Sequence, residues 1–131
     1  MRRLLAAAVI ALSASGCAVT NEATHGARDL TITNQPDLFE LHWGSLKSYS
    51  NRITYKWTNT GTKARVRQAS SVVDGVALIE VRDPTGLVVH SKNLREQGSF
   101  VTFQGAPGTW RISVIMEEAT GSLTFEVRKN P

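Results

Sequence analysis

Hydrophobic and polar residues alternate with a period of two along several segments of this chain. Between residues 52 and 58, Ile53, Tyr55 and Trp57 share one face, while Arg52, Thr54, Lys56 and Thr58 take the other. Between 110 and 116 the apolar set is Trp110, Ile112, Val114 and Met116; between 123 and 128 it is Leu123, Phe125 and Val127. This period marks a strand with one face in a core, because successive Cβ atoms point to opposite sides of a sheet. Residues 76–81 are apolar almost throughout, as expected of a strand covered on both faces. Shorter apolar runs at 30–33, 39–43 and 100–103 read as further strands.

Turn chemistry separates these segments. Asp83-Pro84-Thr85-Gly86 suits a type I turn, because proline presets φ at its second position, and it joins 76–82 to 87–91 as a hairpin. Asn59-Thr60-Gly61-Thr62 and Ala119-Thr120-Gly121-Ser122 place glycine where a hairpin wants positive φ. Gly105-Ala106-Pro107-Gly108 leads into the strand at Thr109. Helical periodicity is nearly absent, apart from one turn around residues 45–50. The expectation is an all-β fold: a single antiparallel two-sheet β-sandwich of seven to eight short strands over residues 30–131. The stretch from Asp83 to Val127 reads D-P-x-G-x-V-V, then A-P-G-T-W-x-I-x-V, then G-x-L-x-F-x-V. It is similar to immunoglobulin-like and pre-peptidase-C-terminal-like extracellular modules. The resemblance covers about a third of the chain. It implies sandwich architecture and brings no active site with it.

The N-terminus follows another pattern. Met1-Arg2-Arg3 precedes an apolar run from Leu4 to Leu12, then Ser13-Ala14-Ser15-Gly16 and Cys17, the only cysteine. A basic segment, an apolar segment and a small-residue cleavage zone form the layout of a secretory signal peptide. The apolar run is roughly half the 20 or so residues that a membrane-spanning helix needs. Cleavage near Ala18 by an ordinary signal peptidase is the competing reading. The residues before Cys17 resemble the lipobox of bacterial lipoproteins, although Ala14 stands where that family prefers leucine. The resemblance implies removal of residues 1–16 and acylation of Cys17. It also implies an envelope location, with Ala18 after the cysteine pointing to the outer membrane of a Gram-negative cell. Residues 17–29 then form the lipidated cysteine and a polar flexible tether containing His25.

Cleavage changes the charge picture. The 131 residues hold 15 Lys and Arg against 11 Asp and Glu, a net charge of +4. Losing Arg2 and Arg3 leaves thirteen basic residues and a net charge of +2 on 115 residues. A charge this small steers little toward nucleic acid or anionic lipid, and no nucleic-acid partner is expected. The remaining length suits one domain with one core. That domain has no disulfide, since no cysteine is left after acylation.

Candidate chemistry is sparse. His25, His42 and His90 are isolated from one another and from any second cysteine, so no metal and no cofactor are expected. No G-x-S-x-G or phosphate-cradling glycine loop occurs, and no catalytic residue is assigned. Trp57 and Trp110 fall on apolar faces, while Trp43, between His42 and Gly44, is placed either at one end of the core or, with His42 and Tyr49, on a sugar-stacking edge. Lys63, Arg65 and Arg67 alternate and line one face of a strand, either as a solvated face that guards an edge or as a grip for an anionic partner, with Lys56 joining them across the hairpin at 59–62. The candidate binding surface is therefore Trp43, His42, Lys63, Arg65 and Arg67, with Cys17 as the lipidation site. The expected protein is a non-enzymatic, lipid-anchored interaction domain with an envelope protein partner. The alternative is a carbohydrate-binding module.

Overall fold

The computed structural model describes residues 26–131, and the expectations for the signal segment, Cys17 and His25 lie outside the described residues. Among the described residues seven antiparallel strands make up the fold: β1 (Gly26–Gln35), β2 (Leu38–Asn59), β3 (Lys63–Gln68), β4 (Ser71–Arg82), β5 (Val88–Asn93), β6 (Gly98–Val101) and β7 (Gly108–Asn130). They belong to one hydrogen-bonded sheet with the order β1-β2-β7-β3-β6, and β4 pairs with both β7 and β5. The fold is all-β and sandwich-like, but its two layers are halves of one bent sheet that does not close into a barrel.

Two long strands produce that arrangement. β2 has 22 residues and β7 has 23, and they pair along nearly their whole length, from Leu38↔Arg128 to Asn59↔Gly108. Phe39 and Tyr55 lie sixteen residues apart on β2, which would separate them by about 53 Å on a straight strand. Their ring centroids are 5.3 Å apart, so the strand folds back on itself. The first layer holds β1, residues 38–46 of β2, residues 121–130 of β7, β3 and β6. The second layer holds residues 51–59 of β2, residues 108–117 of β7, residues 76–82 of β4, and β5.

The bend is built from bulges. The β2–β7 register slips three times between Trp43 and Asn51, and the β4–β7 register slips twice between Val72 and Val76. Ser48, Gly75, Glu118 and Gly121 all adopt positive φ there. Extra residues of this kind kink a strand and leave backbone donors unpaired. Nearby hydroxyls satisfy two of them: Ser48 N–H donates to Thr120 Oγ1 at 3.0 Å, and Glu118 N–H donates to Ser50 Oγ at 2.9 Å.

Several expectations change accordingly. Residues 45–50 are strand rather than helical turn, and residues 119–122 bend one strand rather than join two. The connection at 60–62 crosses between layers, because β3 pairs with β7 and β6 and not with β2. Lys56 is therefore on the opposite layer from Lys63. β4 alternates instead of being covered twice: Ala77, Ile79 and Val81 are buried while Val76 is exposed. β1 begins at Gly26, which places four residues of the expected tether in a strand. The hairpin through 83–86 forms as its turn chemistry predicts, with Gly86 N–H donating to Asp83 O at 3.0 Å.

The core lies between the layers. Trp57 and Trp110 pack edge to face at 6.0 Å, and their indole N–H groups donate to Gln35 O and Ala106 O. A buried indole keeps its donor satisfied this way, and the hydrogen bond offsets the cost of taking the N–H out of water. Phe39 stacks on Phe125 at 6.0 Å beside them.

Candidate functional site

β3 alternates as its sequence predicts. Ala64, Val66 and Gln68 are buried, and Lys63, Arg65 and Arg67 point to solvent on the outer face of the first layer. His42 shares that face, with Nδ1 2.8 Å from Thr124 Oγ1. Arg67 lies 4.0 Å from Glu126, which also accepts from Arg128 Nη2 at 3.0 Å. The Arg128 hydrogen bond holds the Glu126 carboxyl below the usual carboxylate range. Arg65 Nη1 donates to Ser99 Oγ at 3.1 Å. One carboxylate thus serves two of the guanidinium groups.

Trp43 takes the opposite side. It is 4% exposed and packs on Tyr49 with ring centroids 5.5 Å apart, so its ring closes one end of the core. The structure brings His42, Lys63, Arg65 and Arg67 to one face and places Trp43 behind it. Tyr49 is half-buried, and its hydroxyl accepts from Asn51 Nδ2.

An exposed apolar group sits next to the basic stripe. Val101 is opposite Arg65 on β6, and Phe103, two residues on, is 76% exposed. An open aromatic beside cations is the kind of surface that marks docking sites. The turns around it are held firmly. Thr102 N–H donates to Ala64 O, Phe103 N–H to Val89 O and Gly105 N–H to Thr62 O. Asp83 accepts from Thr85 N–H, Thr85 Oγ1, Leu87 N–H and Ala106 N–H. These hydrogen bonds, Thr85 Oγ1 foremost, hold its carboxyl below the usual range. Asp37 is lowered in the same way by Thr60, whose backbone N–H and hydroxyl it accepts.

The two described histidines differ in burial, His42 being exposed and His90 buried. His90 is 6% exposed, and burial, aided by the Lys92 charge, lowers its pKa to about 4. Gln68 Nε2 donates to Asn93 O and Glu96 O, so its Oε1 accepts from His90 Nε2–H, which fixes the neutral tautomer. Neither His42 nor His90 hydrogen-bonds a carboxylate. Among the described residues no three His, Cys, Asp or Glu side chains cluster to hold a metal. At the bend, an open and shallow depression is lined by Ser45, Lys47, Ser71 and Ser122.

The sequence reading missed Phe103 as a surface group because its strand pattern resembles that of a core segment. It also missed Arg52, Arg82 and Arg111, which β2, β4 and β7 bring beside Lys56 on the outer face of the second layer. No signal in the linear order joins these four.

No family model matches the chain. No curated protein matches it. Among solved structures, a crystal structure of accessory secretory proteins 1, 2 and 3 from Streptococcus pneumoniae contains a similar chain. The two are 14% identical with a TM-score of 0.36, over 86% of this chain and 100% of that one. A likeness this slight carries no functional argument.

Proposed function

We propose that this chain is a lipoprotein of the bacterial cell envelope, anchored through acylated Cys17, whose sandwich is a non-catalytic docking domain. The observation that supports this reading is the separation of its two ends. β1 begins at Gly26, nine residues after Cys17, and Gly26 pairs with Lys47 at the bend. The ten residues of β1 then run about 33 Å to the opposite end. That end carries the turns at 36–37 and 60–62 and the open ring of Phe103. Nine tether residues reach about 30 Å at full extension. A domain held this way keeps its bend toward the bilayer and turns the rigid loops and Phe103 outward to a partner. Two or three acyl chains suffice for a stable anchor, because each buried methylene adds about 0.8 kcal/mol.

The test has two arms. Metabolic labelling with a clickable palmitate analogue is expected to mark the wild-type chain and to fail in Cys17→Ala; labelling of both sinks the anchor. A photo-crosslinking residue at position 103 is expected to capture an envelope component that the same residue at position 47 does not. Equal capture from the two positions sinks the outward presentation.

A further inference from the structure

The outer face of the second layer carries a row of three cations, Lys56, Arg111 and Arg82, of which a neighbouring acid pairs only Arg82. Lys56 and Arg82 both lie directly opposite Arg111, one on each side of β7. Opposed side chains on adjacent strands sit about 5 Å apart at Cβ, so the row spans about 10 Å. Like charges placed directly opposite destabilise a sheet. Arg82 is compensated by Glu80 at 3.0 Å and by Gly86 O at 2.9 Å. Glu80 also serves Arg52, at 3.8 Å, and it is the only acid in the three central rows of this face. Among the described residues Lys56 and Arg111 form no ion pair.

The row beside the cations is made of hydroxyls and the single acid: Thr54, Ser113, Glu80 and Ser91. No aromatic side chain is on this face, because Tyr55, Trp57 and Trp110 all turn inward. The third row sets Arg52 beside half-buried Ile115 and Leu78, and Ser113 is buried and hydrogen-bonded to Thr54. A protein partner would be met by aromatic anchors, and a bilayer by an inserting wedge. A row of ammonium and guanidinium groups with no aromatic platform matches a hydrated, regularly charged polymer instead. Charge complementarity then names the occupant.

We propose that the face formed by Lys56, Arg111 and Arg82 binds an acidic polysaccharide whose carboxylate groups run across the strands. The ligand charge relieves the repulsion built into the row, so binding and local stability share one cause. This site is on the side of the sandwich, between its two ends, and does not depend on the anchor or on Phe103.

Binding of polygalacturonate to the full chain in neutral detergent micelles, measured by calorimetry at 20 and 150 mM salt, tests this. Wild type is expected to bind the polymer, more weakly at the higher salt, and to ignore neutral dextran. Lys56→Gln/Arg111→Gln is expected to weaken binding at least tenfold with an unchanged or higher Tm, whereas Arg28→Gln on β1 of the other layer leaves binding intact. No binding by wild type at 20 mM salt overturns the proposal. So does an equal loss in Arg28→Gln, or binding to phosphatidylglycerol vesicles with none to the polymer. The palmitate arm above reports on the anchor alone, so either reading can fail without the other.

Discussion

Replacing Gly121 by alanine tests how the sheet folds in two. Gly121 has φ of +133°, and a Cβ built there would lie 2.0 Å from Ser71 O. A carbon and a carbonyl oxygen approach no closer than about 3.3 Å, so the β4 and β7 backbones must separate by more than 1 Å. That movement breaks the pairing Ser71↔Ser122 and Val72↔Gly121. Each lost backbone hydrogen bond costs about 1 kcal/mol, more where a buried partner is left unsatisfied. The strained φ adds about 1–3 kcal/mol for a residue with a Cβ. The expected total is about 3–5 kcal/mol, and about 4–8 °C in Tm follows per kcal/mol for a domain of this size. Gly86→Ala is the control: its φ of +92° carries the same kind of strain, but nothing lies within 4 Å of the added Cβ. Urea unfolding followed by tryptophan fluorescence should show Gly86→Ala losing about 1–3 kcal/mol and Gly121→Ala clearly more. Equal losses would mean that no close approach exists at the bend, and the account of the folded-over sheet would fail.

Other outcomes follow from the same fold. His90 titrates at about 4 in the fold against 6.5 when unfolded, so the unfolded chain binds more protons between those values. Stability is complete above pH 6.5 and drops by about 3 kcal/mol on acidification to pH 4, then levels off for this group. His90→Gln should flatten urea midpoints across that window, and an unchanged slope would refute the assignment. Trp43→Ala is expected to cost about 3–5 kcal/mol by chemical denaturation, as a buried ring does, while Arg67→Ala changes stability by less than about 0.5 kcal/mol. Asp83→Asn should lower Tm at pH 7 because the folded carboxyl titrates below its unfolded value. The gap from wild type should narrow at pH 3, where stability from the carboxylate is being lost; a constant gap in thermal scans would argue against its role.

Some of this protein was legible in the order of its residues. Period-two alternation placed Trp57, Trp110, Ile112, Val114, Leu123, Phe125 and Val127 in the core, because the pleat sends every second side chain to one face. Asp83-Pro84-Thr85-Gly86 specified its own hairpin, since proline φ and the aspartate side chain act within a few residues. The polar outer positions of β3 were readable for the same reason.

What lay beyond the sequence depended on pairing between distant segments. Residues 45–50 and 118–122 carry the serines, threonines and glycine of ordinary turns. Only the partner strand decides that they are bulges inside two long strands, because a bulge and a turn make the same local demands on φ. Asn59-Thr60-Gly61-Thr62 looks like a hairpin, yet β3 is drawn to β7 because its buried Val66 pairs with Val127 in the first layer. Trp43 and His42 are adjacent in the chain but face opposite sides of the sheet, so the core claimed one and solvent the other. The row of Lys56, Arg111 and Arg82 joins three strands far apart in sequence. It exists only because the register of β2, β7 and β4 aligns them, and register is a property of the folded sheet.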